Sequence, residues 1–409
     1  MKSCIFGRLK RNNPYKLAKP EFSMKFAHMG DCHLGGWRYP ELQEVNMQSF
    51  SKALDICITE KVDMVLMAGD IFDSAYPPIE ILKKTFKEFK KLYDSKIPCF
   101  IIAGSHDYSV SGKTFLDVLE HAGFCKNVFV YEEKDERIIL QPTISGKYAI
   151  YGYPGMKSGL EVEGLKKTKL QDSPGFFKIF MLHTALKEAI GNMPAPSISI
   201  DELPSADYYA LGHLHIEFGK SNIAYSGPIY PNNFEELEEL KHGRFQIVNV
   251  QDGIIRRDTI PLRIKDVLNL VIQLDNPLTA TEKIITELKN HQLNDKIILM
   301  RLKGNFTSGK VSDIQFNEIE QFVKNQGAYV FVKSISGLKI EENKIEMDEK
   351  DVGKVEEILI KEHFEKSETR FADKIQLLLR ALSVEKQEDE KNQIFHDRLL
   401  SELKTILNF

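Results

Sequence analysis

Five short apolar runs in the chain each end in a cluster of side chains able to hold a cation. The clusters read DCH (Asp31, His33), GDIFD (Gly69, Asp70, Asp73), GSHD (Gly104, Ser105, His106, Asp107), LHT (His183) and GHLH (His213, His215). In open α/β sheets ligands bind at the carboxyl ends of the strands, so five such ends would point at one place. Alternation along an extended chain puts residues i and i+2 on one face. If the chain is extended there, Asp31 with His33, and His213 with His215, could each present two ligands in one direction. A Gly ahead of Asp70, Ser105 and His213 lets the chain turn sharply without a Cβ penalty. Mixed carboxylate and imidazole donors suit manganese, iron or zinc better than calcium or magnesium. Two such ions about 3.5–4 Å apart can activate a water and neutralise the charge that develops at an attacked phosphorus. Asp70 is the natural protein bridge between them. His106, outside the i,i+2 pairs and beside Asp107, is expected to protonate the departing oxygen or to stabilise the transition state.

A single histidine after an apolar strand is more often a hydrogen-bonded core residue than a ligand. Here five of the eleven histidines (His33, His106, His183, His213, His215) follow strand ends in chain order, and the set reverses that reading. His28 is expected as an ordinary strand residue and His121 at a helix end, with His242, His291, His363 and His396 solvated or partly packed. Cys32 is expected to pack, not to bind. The run Glu235 to Glu239 (EELEE) reads as a solvated helix face, since acidic residues would repel a polyanion.

The elements that must position these clusters are an alternation of strands and helices from Met24 to about Leu262, which predicts an α/β architecture. The strand-like runs are KFAHMG, VDMVLMAG, PCFIIAG, FKIFML and YYALG. Helical spacing falls between the first two (Leu54, Ile58, Val62) and the next two (Ile81, Phe86, Phe89, Tyr93). A second unit at 263–340, strand, helix, strand, helix, strand, predicts a small α+β domain. Residues 341–370 are dense in Glu and Lys and read as a charged linker. The segment 371–409 carries two helical stripes without a core of their own, Ile375, Leu378, Leu379, Leu382 and then Ile394, Leu399, Leu403, Ile406. Residues 1–23 hold six basic residues among the first twenty and no acid there, and read as a basic tail or a start placed too early. With 42% hydrophobic and 28% charged residues the chain is an ordinary globular one, and its formal charge of −4 gives no general attraction to nucleic acid. Five scattered cysteines without CxxC spacing argue against a disulfide framework and a thiolate zinc site. Absence of a long apolar stretch and of a signal-like start predicts a cytoplasmic protein.

The series D-x-H, GD, G-N-H-D/E, H and GHxH resembles the calcineurin-like metallophosphoesterase superfamily. KFAHMGDCHLG with GDIFD, AGSHD, GHLH and YSGPIYP is similar to its DNA-repair branch, the Mre-eleven/SbcD type. The resemblance implies a metallophosphoesterase β-sandwich flanked by helices, with a small capping domain and C-terminal helices that bind an ATPase. It implies a first metal on Asp31, His33, Asp70 and His215, a second on Asp70, Ser105, His183 and His213, and His106 as the catalytic histidine. Members of this family use two Mn2+ ions, act on double- and single-stranded DNA as exonuclease and endonuclease, and form a homodimer within a heterotetramer with a Rad-fifty/SbcC-type coiled-coil ATPase. Two positions depart from the pattern. Ser105 stands where the wider family has Asn, and Asp73 where several relatives have His, a position that bears on how DNA is rotated toward the metals. Two other readings share the same motifs: a phosphoesterase for a different phosphoester, and a scaffold with a weakened nuclease.

Overall fold

The computed structural model describes residues 23–109, 114–191, 193–340, 375–382, 384 and 392–407. The basic segment 1–22 and the charged linker lie outside the described residues.

Alternation along the strands builds two apolar layers at once. In Ser23–Met29, Phe26 enters one layer while Ala27 and Met29 enter another; Met64–Ala68 divides Leu66 from Val65 and Met67 in the same way, and Cys99–Ile102 divides Ile102 from Ile101. Strands buried on both faces must read as near-continuous apolar runs, as these three do. They are parallel neighbours in a six-stranded sheet, extended on one side by the antiparallel pair Gly243–Gln251 and Ile254–Leu262 and on the other by Lys126–Asn127. A second six-stranded sheet holds Phe177–His183 and Tyr208–Gly212 as parallel neighbours. Side chains of both sheets, among them Phe26, Leu66, Ile102, Ile150 and Met181, fill the layer between them. Each such side chain contributes about 1.5–3 kcal/mol by leaving water.

Helices Pro40–Thr59 and Ile79–Asp94 cover the outer face of the first sheet through Phe50, Leu54, Phe89 and Leu92. The result is the expected α/β sandwich. What the spacing did not reveal is the stretch between the two sheets. Tyr131–Lys134, Arg137–Leu140 and Thr168–Leu170 form a separate three-stranded sheet, because the first of these strands is exposed throughout and carries no apolar alternation.

Val267–Gln273, Ile297–Phe306 and Val330–Ile340 form a parallel three-stranded sheet. One face packs on helices Pro277–Lys289 and Phe316–Asn325 through Ile284, Leu288, Ile319 and Val323. The other face places Ile297, Leu299, Val330 and Val332 against Trp37, Leu42 and Val45, and against Leu237 of the short helix Phe234–Leu240. Arg301 fastens this contact: its guanidinium donates to both carboxylate oxygens of Glu238 (2.8 and 3.1 Å) and lies 4.9 Å over the Phe234 ring. Residues from Glu342 onward form a second compact unit containing helices Ile375–Leu382 and Asn392–Leu407. No helix among the described residues is long and apolar enough to cross a membrane.

Candidate metal centre

The five polar clusters meet at the ends of strands drawn from both sheets, and the backbone at the meeting point is not extended. Asp31, His33, Asp70 and His213 have φ of 51°, 43°, 49° and 96°. Positive φ is unusual for residues with a Cβ and is concentrated at functional sites, where surrounding contacts hold it. Here the contacts are backbone bonds between loops: Asp31 N–H donates to Gly69 O (3.1 Å) and His33 N–H to Asp70 O (2.9 Å). The extended backbone on which the shared presentation of Asp31 with His33, and of His213 with His215, depended is therefore not met at Asp31, His33 or His213, although Asp31, His33 and His215 still converge. Left-handed turns aim Asp31, His33 and His213, and Cys32 between the first two is buried in the core. The glycines also divide. Gly69 makes a true left-handed turn at φ 86°, whereas Gly104 and Gly212 have ordinary φ and serve close approach. A Cβ on Gly104 would overlap Asp70, and one on Gly212 would overlap the Ala68 carbonyl.

Hydrogen bonds then fix which ring nitrogen faces the centre. His33 Nδ1 is 3.1 Å from Asp73 Oδ1, and His215 Nδ1 is 2.9 Å from Glu236 Oε1. A carboxylate only accepts, so both Nδ1 atoms carry a proton, which leaves Nε2 as the nitrogen each ring turns to the centre. Those two Nε2 atoms face each other at 3.0 Å. His183 repeats the logic, with Nδ1 donating to Ala68 O (2.9 Å) and a buried Nε2 that lies 3.1 Å from Asp70 Oδ2 without hydrogen-bond geometry. Ring nitrogens this close to one another and to a carboxylate need a proton or a metal ion among them. The same carboxylate oxygen, Asp70 Oδ2, is 3.6 Å from His33 Nε2, so Asp70 stands between the two histidine sets. Asp31, His33 and His215 form one group with converging donor atoms, and Asp31, Asp70 and His183 form another. The residues present fit a pair of divalent cations.

The electrostatics agree. Burial opposes charge on His183, but the adjacent Asp70 carboxylate outweighs it and pushes the pKa up to about 10. Burial likewise opposes charge on His215, and the Glu236 bond with Asp31 nearby raises it to about 9. Asp70, although buried, is held well below the carboxylate range by His183 and His33. His213 goes the other way, lowered to about 4 by burial and by the neighbouring His183. Asp107 is raised to about 6 by burial and by the Asp70 charge, while its oxygens accept from the N–H groups of Gly104, Ile71 and Phe72. That one carboxylate pins the GDIFD and GSHD loops together.

The structure brings Asp31, His33, Asp70, His183 and His215 together; His213 lies against them, its ring 5.1 Å from that of His183 and its N–H donating to Asp31 Oδ1 (2.8 Å). Ser105 Oγ reaches only to 3.5 Å of Asp70 Oδ2. The His106 side chain is about half exposed, with Nδ1 donating to the Asp73 carbonyl at 2.9 Å and its ring 4.7 Å from that of His33. His28 bonds Tyr208 Oη and Leu211 O within the core, and His121 ends a helix, as expected. Three partners were missed. Asp73 orients His33, Glu236 orients His215, and Asn232 joins them, its Nδ2 donating to Asp73 Oδ1 and its N–H to Glu236 Oε2, both at 2.9 Å. The reading of Glu235–Glu239 as a merely solvated face is corrected by Glu236 and Glu238. A signal was available: Asn233 precedes Glu236 by three, the spacing of a capping box, and Asn233 does cap this helix.

The calcineurin-like phosphoesterase family model matches residues 24–217, the segment that carries every one of these ligands. The DNA double-strand break repair protein Mre11 of Sulfolobus acidocaldarius is 29% identical over 296 residues, covering 69% of this chain and 75% of that protein. Its namesake in Methanosarcina acetivorans is 27% identical over 75% of this chain and 49% of its own length. Residues 24–217 carry a calcineurin-like phosphoesterase domain, and the chain is similar to the Mre11-type metallophosphoesterases. A third namesake, from Sulfurisphaera tokodaii, is 35% identical over 46% of this chain and 48% of its own length. The chain thus spans three quarters of one of these relatives and about half of the other two. As a metallophosphoesterase it is a metal-dependent phosphodiester hydrolase; that fold implies a dinuclear divalent metal site, and the paired donor groups are candidate ligands for it.

Proposed function

We propose that this metallophosphoesterase is the manganese-dependent DNA nuclease, exonuclease and endonuclease, of a double-strand-break repair complex. The observation that carries the chemistry is the pair of Nε2 atoms of His33 and His215 facing each other at 3.0 Å beside Asp70. The similarity to three repair proteins of archaea supports the substrate class. In this reading Asp31, His33, Asp70 and His215 hold a first ion, and Asp70, His183 and His213 a second, with Ser105 at its edge. The nitrogen and oxygen donor set favours manganese over magnesium. Two divalent cations there supply charge neutralisation at the scissile phosphate and activation of a water.

The chain's own residues do the rest. Asp73 and Glu236 hold two imidazoles in the tautomer whose Nε2 faces inward, an arrangement that orients metal-binding histidines and raises their basicity. His106 has its Nδ1–H committed to the Asp73 carbonyl, so Nε2 is the nitrogen left to hold or deliver a proton. In the imidazolium form it gives that proton to the departing 3′ or 5′ oxygen. Residues 24–262 act as the phosphoesterase domain, 263–340 as the cap, and the helices within 371–409 as the segment that docks on a Rad-fifty-type coiled-coil ATPase in a heterotetramer of the cytoplasm. The test is cleavage of linear and hairpin DNA by the full chain with manganese, with magnesium and with EDTA, alone and with the ATPase. Manganese-dependent cutting of either DNA upholds the proposal. Hydrolysis of a small phosphodiester with neither DNA cut would replace it by a phosphoesterase for another substrate.

A further inference from the structure

Beside His106 the surface opens into a cleft of about 860 Å3, lined by Asp73, Tyr76, Ser105, His106, Tyr108 and Lys157. Its volume lies in the range of small-ligand sites, about 300–1,000 Å3. Two of its walls are aromatic and face solvent: Tyr76 is 69% exposed and Tyr108 37%. The Tyr76 hydroxyl is 3.1 Å from Ser109 Oγ, so the ring is tethered to the loop that also carries Tyr108 and His106. The tyrosines are indexed to the metal centre as well. Tyr76 follows the GDIFD loop and Tyr108 follows Asp107, and the Asp107 carboxylate clamps these two loops through three backbone N–H groups. Lys157 adds a cation on the cleft wall.

Tyr76, Tyr108 and Lys157 have no part in holding metal or moving a proton. Exposed aromatic faces beside a phosphodiester site, with a lysine in the same cleft, match what holds single-stranded nucleic acid: bases stack on aromatic rings while basic groups follow the phosphates. We propose that Tyr76 and Tyr108 form a stacking subsite for the nucleobase next to the scissile phosphate on the His106 side, in a DNA strand separated from its complement, with Lys157 on the adjoining phosphate. The subsite rests on the nuclease reading and says which part of the DNA the cleft takes. Because a base has a π-face whatever its identity, the subsite discriminates a base from its absence and one base from another only weakly.

The experiment compares a single-stranded oligonucleotide with the same oligonucleotide made abasic at the nucleotide flanking the cleaved bond, using the full chain. Equilibrium binding is read by fluorescence anisotropy in EDTA, and kcat/KM with manganese. Stacking on one ring is typically worth a factor of about 5–150 in binding. The unmodified protein should favour the base-containing strand by a factor in that range in both assays. Tyr76→Ala and Tyr108→Ala should each bring the ratio toward one, and Tyr76→Phe, which keeps the ring, should retain it. Reading a ratio within each protein separates loss of the subsite from loss of folded protein. Equal binding and equal cleavage of the two strands by the unmodified protein would overturn the subsite while leaving the nuclease intact. Cleavage of bis(4-nitrophenyl) phosphate with neither oligonucleotide cut would overturn the DNA reading and the subsite with it.

Discussion

Glu236 offers the sharpest test of how the metal centre is held, because it touches no expected metal position and acts only through His215. Its Oε1 lies 2.9 Å from His215 Nδ1, its other oxygen accepts from Asn232 N–H, and both side chains are about four-fifths buried. The carboxylate favours positive charge on the imidazole, whether a proton or a metal ion brings it. The rise of the His215 pKa from 6.5 to about 9 corresponds to roughly 3 kcal/mol. Among the groups that raise it Glu236 comes first, ahead of Asp31 and Asp70. Partners behind metal-binding histidines commonly account for about 10–100-fold in metal affinity. Glu236→Ala should therefore weaken Mn2+ binding about tenfold or more, and Glu236→Gln, which retains an acceptor but no charge, by less. Calorimetric titration of the full chain with MnCl2 reads this directly, without any turnover. If Glu236→Ala folds with its thermal midpoint intact and binds Mn2+ as tightly as the parent, the hydrogen bond does not tune the ligand and the positioning argument fails.

His106→Gln should lower cleavage about 10²–10⁴-fold, the usual scale of general acid–base assistance, with manganese content by elemental analysis unchanged; loss of metal together with activity would make His106 a ligand. At Ser105, whose Oγ is 3.5 Å from Asp70 Oδ2, an Asn amide reaches one bond farther, so Ser105→Asn should lower the manganese concentration for half-maximal cleavage and Ser105→Ala should barely change it. An inactive Ser105→Ala protein would instead show that the hydroxyl itself is required. His28, fully buried, is lowered to about 3 by that burial. The folded chain therefore stays unprotonated there down to about pH 3 while the unfolded chain takes up a proton below about 6.5, so this residue costs stability as pH falls through that window, by about 1.4 kcal/mol per pH unit. Urea unfolding followed by circular dichroism between pH 6.5 and 5 should show a shallower acid loss for His28→Gln than for the parent, and parallel curves would remove His28 as a cause.

Which part of this centre was legible beforehand follows a physical division. The strands announced themselves because both of their faces are buried, which forces runs such as MVLMA in Met64–Ala68 and FKIFMLH in Phe177–His183. The ligands announced themselves because Asp and His at the ends of such runs have few other uses, and five sets occur in chain order. The aim of the ligands was not legible. Alternation predicts direction only while φ stays extended, and Asp31, His33, Asp70 and His213 all leave that region under bonds from a neighbouring loop, which no local pattern encodes. Nor was the outer layer legible. His215 and Glu236 lie 21 residues apart and His33 and Asp73 lie 40 apart, so only the fold sets those pairs.

The same helix that supplies Glu236 also supplies Glu238, which receives Arg301 from the cap, and Leu237, which is buried against the cap's sheet. Three successive residues thus face the metal centre, the cap core and the cap's arginine. An acidic helix in solvent would place its charges at random with respect to partners. Here Phe234–Leu240 is the joint at which the cap is seated and His215 is oriented, so a displacement of the cap that moved this helix would change the seating of His215. The seating of the 263–340 unit and the orientation of His215 are thereby tied to one element of seven residues.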